Sequence, residues 1–234
     1  MVCFLVTTYN RQESCQRLVD ALQGQGDIVV LNDGCDYVIN GCRQYFLNQH
    51  NGKTYYWMTV KTLFAYRGTH KYYFMLPDDF LPTGNMVEDA INIWNSIEDE
   101  KKICLNLFAD RIGSSCWTNF TPIDRGDVWQ TQWVDMCFMC DNTFFNIVRI
   151  KEINYKTASQ RGMSSGVGAM ISRQLHRHGY NLYQVKESLV IPQDVHAESQ
   201  MHNKSNVVGY EHNKRARDRR QRIVFDTRKP RGEK

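Results

Sequence analysis

Val2-Cys3-Phe4-Leu5-Val6-Thr7-Thr8-Tyr9-Asn10-Arg11 opens on five apolar residues and then turns abruptly polar. A continuous apolar run of this length, bounded by polar residues, reads as a strand buried on both faces. Cys15, Leu18, Val19 and Leu22 then recur at helical spacing, and Gly24 and Gly26 stop that helix. Ile28 to Leu31 is a second short apolar strand, cut by Asn32-Asp33-Gly34. The chain therefore begins strand, helix, strand, and each strand ends in a polar cluster.

The same alternation continues downstream. Short strands are expected at Tyr37–Ile39 and Tyr45–Leu47, a helix from Thr54 to Arg67, and a buried strand from Tyr72 to Leu76. Thr83 is a suitable N-cap for a helix carrying Val87, Ala90, Ile91, Trp94 and Ile97 on one face. Lys102 to Phe108 reads as a strand, followed by a polar loop to about Gln132 and a strand-like stretch from Trp133 to Cys140. Ser164 or Ser165 is expected to cap a helix that runs to His178 and closes at Gly179, with Tyr180 to Val190 extended after it. Strands alternating with helices at this spacing predict an α/β fold whose mostly parallel sheet is covered on both faces.

Composition narrows the class. The 234 residues are 42% hydrophobic and 23% charged, which excludes wholesale disorder. No apolar run approaches the roughly 18 residues of a membrane span, and the start lacks the pattern of a secretory signal. A cytoplasmic protein without a membrane partner is expected. The net charge of +4 is uneven, because residues 211–234 hold ten Lys/Arg against four Asp/Glu. The expected organisation is a catalytic domain over residues 1–210 and a basic tail over 211–234. Such a tail is either a solvated end or a contact for a polyanion such as DNA. Of the eight cysteines, Cys3, Cys104 and Cys137 fall in apolar runs and are expected to be reduced core residues. Cys137-Phe138-Met139-Cys140 has CxxC spacing but no second pair to complete a zinc site.

In a sheet of this kind ligands sit beyond the carboxyl ends of the strands. Three polar clusters occur there: Thr7 to Arg11, Asn32 to Asp36, and Asp78-Asp79. The first strand has neither a G-x-G-x-x-G turn nor a Walker loop, so a Rossmann site and a P-loop are disfavoured. Adjacent carboxylates at a strand end suit a hard divalent cation, which takes oxygen ligands and bridges a diphosphate. A plain surface turn is the competing reading of Asp78-Asp79.

Together, Val6-Thr7-Thr8-Tyr9-Asn10-Arg11, Val30-Leu31-Asn32-Asp33-Gly34-Cys35-Asp36 and Phe74-Met75-Leu76-Pro77-Asp78-Asp79-Phe80-Leu81-Pro82 resemble the GT-A fold glycosyltransferases. The similarity is greatest to the large family with a V-T-x-Y-N-R first strand, and it covers roughly residues 2 to 200. It implies a three-layer α/β/α sandwich, a nucleotide diphosphate sugar donor (UDP-linked) and Mn²⁺ or Mg²⁺. By position it assigns Thr7, Thr8, Tyr9, Arg11, Asp33, Gly34 and Asp78 to the nucleotide sugar, with Asp33 at the base, and Asp79 to the metal. His196 matches a histidine that several such enzymes place after the last core strand as a further metal ligand, and His202 and Asp194 compete for that role.

The chain also departs from the pattern. Pro77 stands where the family has its first acid. The stretch Ser164 to Gly168 lacks the acid that serves relatives as catalytic base. Asp135, in Trp133-Val134-Asp135-Met136-Cys137-Phe138, is the candidate replacement, and a buried salt bridge is its alternative role. Lys53, Lys61 and Arg67 are candidates for phosphate contact or for a solvated helix face. Trp117 and Trp133 are candidates for stacking or for core packing. The function expected is metal-dependent sugar transfer to an acceptor hydroxyl, with a hydroxymethylated pyrimidine in DNA among the acceptors. The alternatives are a nucleotidyltransferase of similar fold and a non-enzymatic nucleic-acid-binding protein.

Overall fold

A computed structural model of the chain describes residues 2–109, 122–134, 136–153 and 166–193. Its elements are β1 (Val2–Thr8), α1 (Gln12–Leu22), β2 (Asp27–Asn32), β3 (Arg43–Phe46), α2 (Gly52–Ala65), β4 (Tyr72–Pro77), β5 (Phe80–Pro82) and α3 (Met86–Ser96). They continue with β6 (Lys102–Asn106), β7 (Ile123–Asp124), β8 (Val128–Thr131), β9 (Phe138–Asp141), α4 (Thr143–Ile147), α5 (Val167–Arg177), β10 (Asn181–Val185) and β11 (Val190–Pro192).

Nine strands form one sheet in the order β3-β2-β1-β4-β9-β6-β10-β8-β7, and β5 pairs with β11 in a separate ribbon. Only β9 and β8 run against the rest, so the sheet is mostly parallel, as expected. Alternate residues of β1 point to opposite layers. Phe4 and Val6 join Leu18 and Leu22 of α1 and Ala90 and Trp94 of α3. Cys3 and Leu5 join Val60 and Leu63 of α2, Phe144 of α4 and Ile171 of α5. The sandwich thus has three layers. Full burial of each large apolar side chain contributes about 1.5–3 kcal/mol, which is why both faces of the sheet are covered.

Several boundaries differ from the expected ones. Residues 37–39 form no strand, because side chains satisfy their backbone: Gln44 Nε2 donates to the Tyr37 carbonyl and Ile39 N–H donates to Gln44 Oε1. The Thr83 hydroxyl bonds Ser188 rather than capping, and α3 starts after Asn85. The expected polar loop contains β7 and β8, a hairpin turned at Gly126 (φ +79°) with Arg125 N–H bonded to the Val128 carbonyl. At residues 133–134, side-chain bonds replace a ladder: Asn106 Nδ2 donates to the Trp133 carbonyl, and Val134 N–H donates to Ser172 Oγ. The expected caps Ser164 and Ser165 lie outside the described residues, and α5 follows Gly166 in a left-handed conformation. Cys137 and Cys140 are both buried in the core clusters, with no disulfide among the described residues, which fits core packing. Among the described residues no helix is long and apolar enough to cross a membrane.

The register positions the polar clusters. Thr8 lies opposite Asn32, and Thr7 lies opposite both Leu31 and Pro77. The carboxyl ends of β2, β1 and β4 are therefore level, and the residues after them share one edge.

Candidate functional site

Pro77 ends β4, and the next two carboxylates meet a guanidinium. Arg11 Nη1 lies 2.9 Å from Asp78 Oδ1 and 3.0 Å from Asp79 Oδ2, with the Arg11 side chain only 7% exposed. Asn10, just before it, adopts a positive φ of 54°, a conformation that asparagine tolerates better than most residues. Burial pushes the Asp78 carboxyl up to about 7, against the pull of Arg11 and with a further push from Asp79. One guanidinium nitrogen thus bridges the pair. Asp78 Oδ2 is nonetheless buried without a hydrogen-bond partner among the described residues. An orphaned buried acceptor is costly and calls for a donor or a cation.

Gln193, just after β11, fixes the shape of this turn. Its Nε2 lies 3.0 Å from the carbonyls of both Asp78 and Ser14, and its backbone N–H donates to the Asp79 carbonyl at 2.7 Å. Arg17 Nε in turn donates to Gln193 Oε1. The side-chain amide therefore ties the acidic turn to α1, while the β5–β11 ribbon holds its far side.

The second carboxylate centre lies one strand away. Asp33 N–H donates to the Thr8 carbonyl, which joins the ends of β1 and β2. Asp33 is 1% exposed. Its Oδ1 accepts from Asn51 N–H at 3.1 Å and from the Thr59 hydroxyl at 3.2 Å. Its Oδ2 lies 3.0 Å from His50 Nδ1, but that ring nitrogen is aligned on the Asp33 carbonyl oxygen at 3.1 Å. Oδ2 is left without an aligned hydrogen bond. The His50 ring also stacks on Tyr9, with centroids 3.4 Å apart and planes 9° from parallel. Gly34 (φ +92°) allows this approach, since a Cβ there would sit 2.2 Å from His50 N.

Two tyrosines support the threonines between the centres. The Thr8 hydroxyl shares a 2.7 Å hydrogen bond with Tyr37 OH, whose oxygen also accepts from Arg11 N–H. The Thr7 hydroxyl meets Tyr56 OH at 3.2 Å. Burial pushes the Tyr37 phenol up to about 12 and raises the Tyr56 phenol as well, so both stay neutral hydroxyls. A groove of about 710 Å³ opens beside the cluster, lined by Asn10, Gly34, Cys35, Tyr37, Phe46 and Asn48 among others.

The structure thus links Thr7, Thr8, Tyr9, Arg11, Asp33, Gly34, Asp78 and Asp79 at one sheet edge. Asp135 and His196 lie outside the described residues, as do Asp194, His202 and Trp117. The Lys53 side chain is likewise outside. Arg67 is directed elsewhere: it bonds the Phe64 carbonyl and lies 4.4 Å from the centroid of the Phe145 ring. Trp133 sits 3.4 Å from where a Gly168 Cβ would be, against α5. Tyr37, His50, Asn51, Tyr56, Thr59 and Gln193 escaped the sequence reading. Most of their partners are distant along the chain, so no local pattern marks them.

The donor set fits a divalent cation. Asp78 and Asp79 offer hard carboxylate oxygens, and Asp78 Oδ2 has no hydrogen-bond partner among the described residues. Among the described residues no third His, Cys, Asp or Glu joins them in a metal-binding group. A cation there would complete its shell from a bound ligand or from residues beyond the described set.

No protein-family model and no curated protein sequence matches the chain. Among solved structures, the crystal structure of GalNAc-T7 with UDP, GalNAc and Mn²⁺ matches with a TM-score of 0.58 at 12% identity. The match covers 83% of this chain and 44% of that one, so this chain spans less than half of its neighbour's length. The likeness shows the fold: a GT-A-like α/β architecture.

Proposed function

We propose that the chain is a metal-dependent glycosyltransferase that moves a sugar from a UDP-linked donor to an acceptor hydroxyl. The carrying observation is the Arg11–Asp78–Asp79 cluster with its orphaned Asp78 oxygen, set at the carboxyl edge of a GT-A-like sheet. The neighbour with UDP and Mn²⁺ supports the choice of donor and ion. Asp78 and Asp79 would hold Mn²⁺ or Mg²⁺, which when bound neutralises charge developing on a leaving diphosphate. Gln193 keeps both carboxylates in register from behind. Thr7, Thr8, Tyr9, Arg11, Asp33 and Gly34 would form the nucleotide side.

Asp135 as catalytic base and His196 as a further metal ligand are proposed from the sequence. A nucleotidyltransferase is the weaker reading, because the loop after β1 contains no glycine for a phosphate cradle. The test is hydrolysis of UDP-, GDP- and dTDP-sugars with and without Mn²⁺. Release of UDP only with the metal is expected. Metal-independent cleavage, or pyrophosphate release from a nucleoside triphosphate, would contradict the proposal.

The acceptor proposal is DNA, and it rests on the ten basic residues of 211–234. A chain ending at Tyr210 should bind duplex DNA more weakly, with a flatter salt dependence, since each phosphate contact adds about −0.9 to the log–log slope. Equal affinities and slopes for the two chains would remove the acceptor proposal.

A further inference from the structure

Four observations converge on one ring. The His50 imidazole lies flat on Tyr9 at 3.4 Å. Its Nδ1 must carry the hydrogen, since it faces the Asp33 carbonyl oxygen at 3.1 Å and a carbonyl only accepts. The same nitrogen is 3.0 Å from Asp33 Oδ2, a buried oxygen with no aligned hydrogen bond. Gly34, which admits no Cβ, lets the 49–50 backbone come close enough to hold the ring there. The assembly is a planar ring on an aromatic face, with one ring N–H beside a carboxylate that is incompletely satisfied.

From this geometry we infer that His50 is an internal surrogate for the donor base, occupying the stacking face of Tyr9 and the acceptor Asp33 until a nucleotide displaces it. The inference rests on the donor reading above and goes beyond it, because it makes His50 the residue that sets donor affinity. The chemistry it implies is selective. A base with a ring N–H, such as uracil, reproduces both the stack and the donation, and also offers Oδ2 a direct bond that His50 lacks. Cytosine, whose corresponding ring nitrogen is an acceptor, sets a lone pair against the carboxylate. His50 is at the surface, with 30% of its side chain exposed, and the 710 Å³ groove begins at the adjoining Gly34 and Asn48. Displacement therefore requires no opening of the core. A ligand that competes with an internal group binds with an affinity reduced by the fraction of molecules in which the site is clear.

The experiment is calorimetric titration of the full chain and of His50→Ala with uridine, UDP, CDP and pyrophosphate, all with Mn²⁺. Removing the ring should tighten uridine and UDP by the same factor, roughly tenfold. Pyrophosphate should bind the two proteins alike, and UDP should remain preferred over CDP. His50→Asn, which keeps a polar side chain but no ring, should shift uridine in the same direction. Weaker or unchanged uridine binding in both variants, with wild-type UDP binding intact, would overturn the inference and leave the donor reading standing. Failure of the wild-type chain to bind UDP at all would overturn the donor reading, and His50's role with it.

Discussion

Asp33 and Asp78 occupy similar places at the ends of two parallel strands, both nearly inaccessible, and yet they are held in opposite ways. Asp33 is met by directed donors, with the Asn51 N–H and the Thr59 hydroxyl on its Oδ1, and the His50 ring lies beside its Oδ2. Asp78 faces a full cation, Arg11, and shares it with a second carboxylate. Directed N–H and O–H groups around a carboxylate select a shape, and a site built that way can discriminate one base from another. A carboxylate pair balanced by charge selects charge, and a divalent ion can take the guanidinium's place. The contrast divides the candidate site into a recognition end and an electrostatic end within one sheet edge.

Arg11→Ala should have the largest effect on stability. Breaking a buried ion pair on one side leaves uncompensated charge and costs about 3–5 kcal/mol. The melting temperature should fall without metal, and Mn²⁺ should recover more of the loss than it adds to the wild-type chain. A small loss insensitive to Mn²⁺ would mean that the acidic turn does not depend on charge balance. At the other end, Gly34→Ala combines a φ of +92° with a Cβ placed 2.2 Å from His50 N. A strained backbone of this kind costs about 1–3 kcal/mol. Thermal melts should detect it without any change in the Mn²⁺ response, and a changed response would break the division between the ends.

The smallest effect on chemistry should come from Asp33→Ala. Contacts to a base are made equally in the ground and transition states, so donor affinity should fall about tenfold while turnover at saturating donor stays within about twofold. Steady-state kinetics with UDP-sugar separate the two quantities. A large fall in turnover with unchanged KM would move Asp33 to the electrostatic end.

What the sequence revealed follows the same line. The apolar runs of β1, β2 and β4 were legible because strands buried on both faces need no alternation, and Asp78-Asp79 was legible because the two acids are neighbours. Trp133 to Cys140 read as strand-like, but the antiparallel direction of β9 and its place between β4 and β6 were not legible, since strand order depends on packing rather than on local pattern. Asp33 was recognised, but not its burial beside His50 and Asn51, which precede α2, and Thr59 within it. Gln193 meets Asp78 across 115 residues of chain, and Tyr56 meets Thr7 across 49. Such contacts exist only once the sheet has formed.

Linkage between metal and nucleotide is the most direct consequence of a metal held by Asp78 and Asp79. Calorimetric titration of UDP into the chain, with Mn²⁺ and with chelator, in wild type and in Asp79→Asn, measures that linkage. Wild type should bind UDP at least about tenfold more tightly with Mn²⁺, a coupling of about 1.4 kcal/mol. Asp79→Asn, which keeps the side chain's shape and loses its charge, should bind UDP equally weakly in both conditions. UDP affinity that is the same with Mn²⁺ and with chelator in the wild-type chain would contradict the assignment of Asp78 and Asp79 as the metal-holding pair.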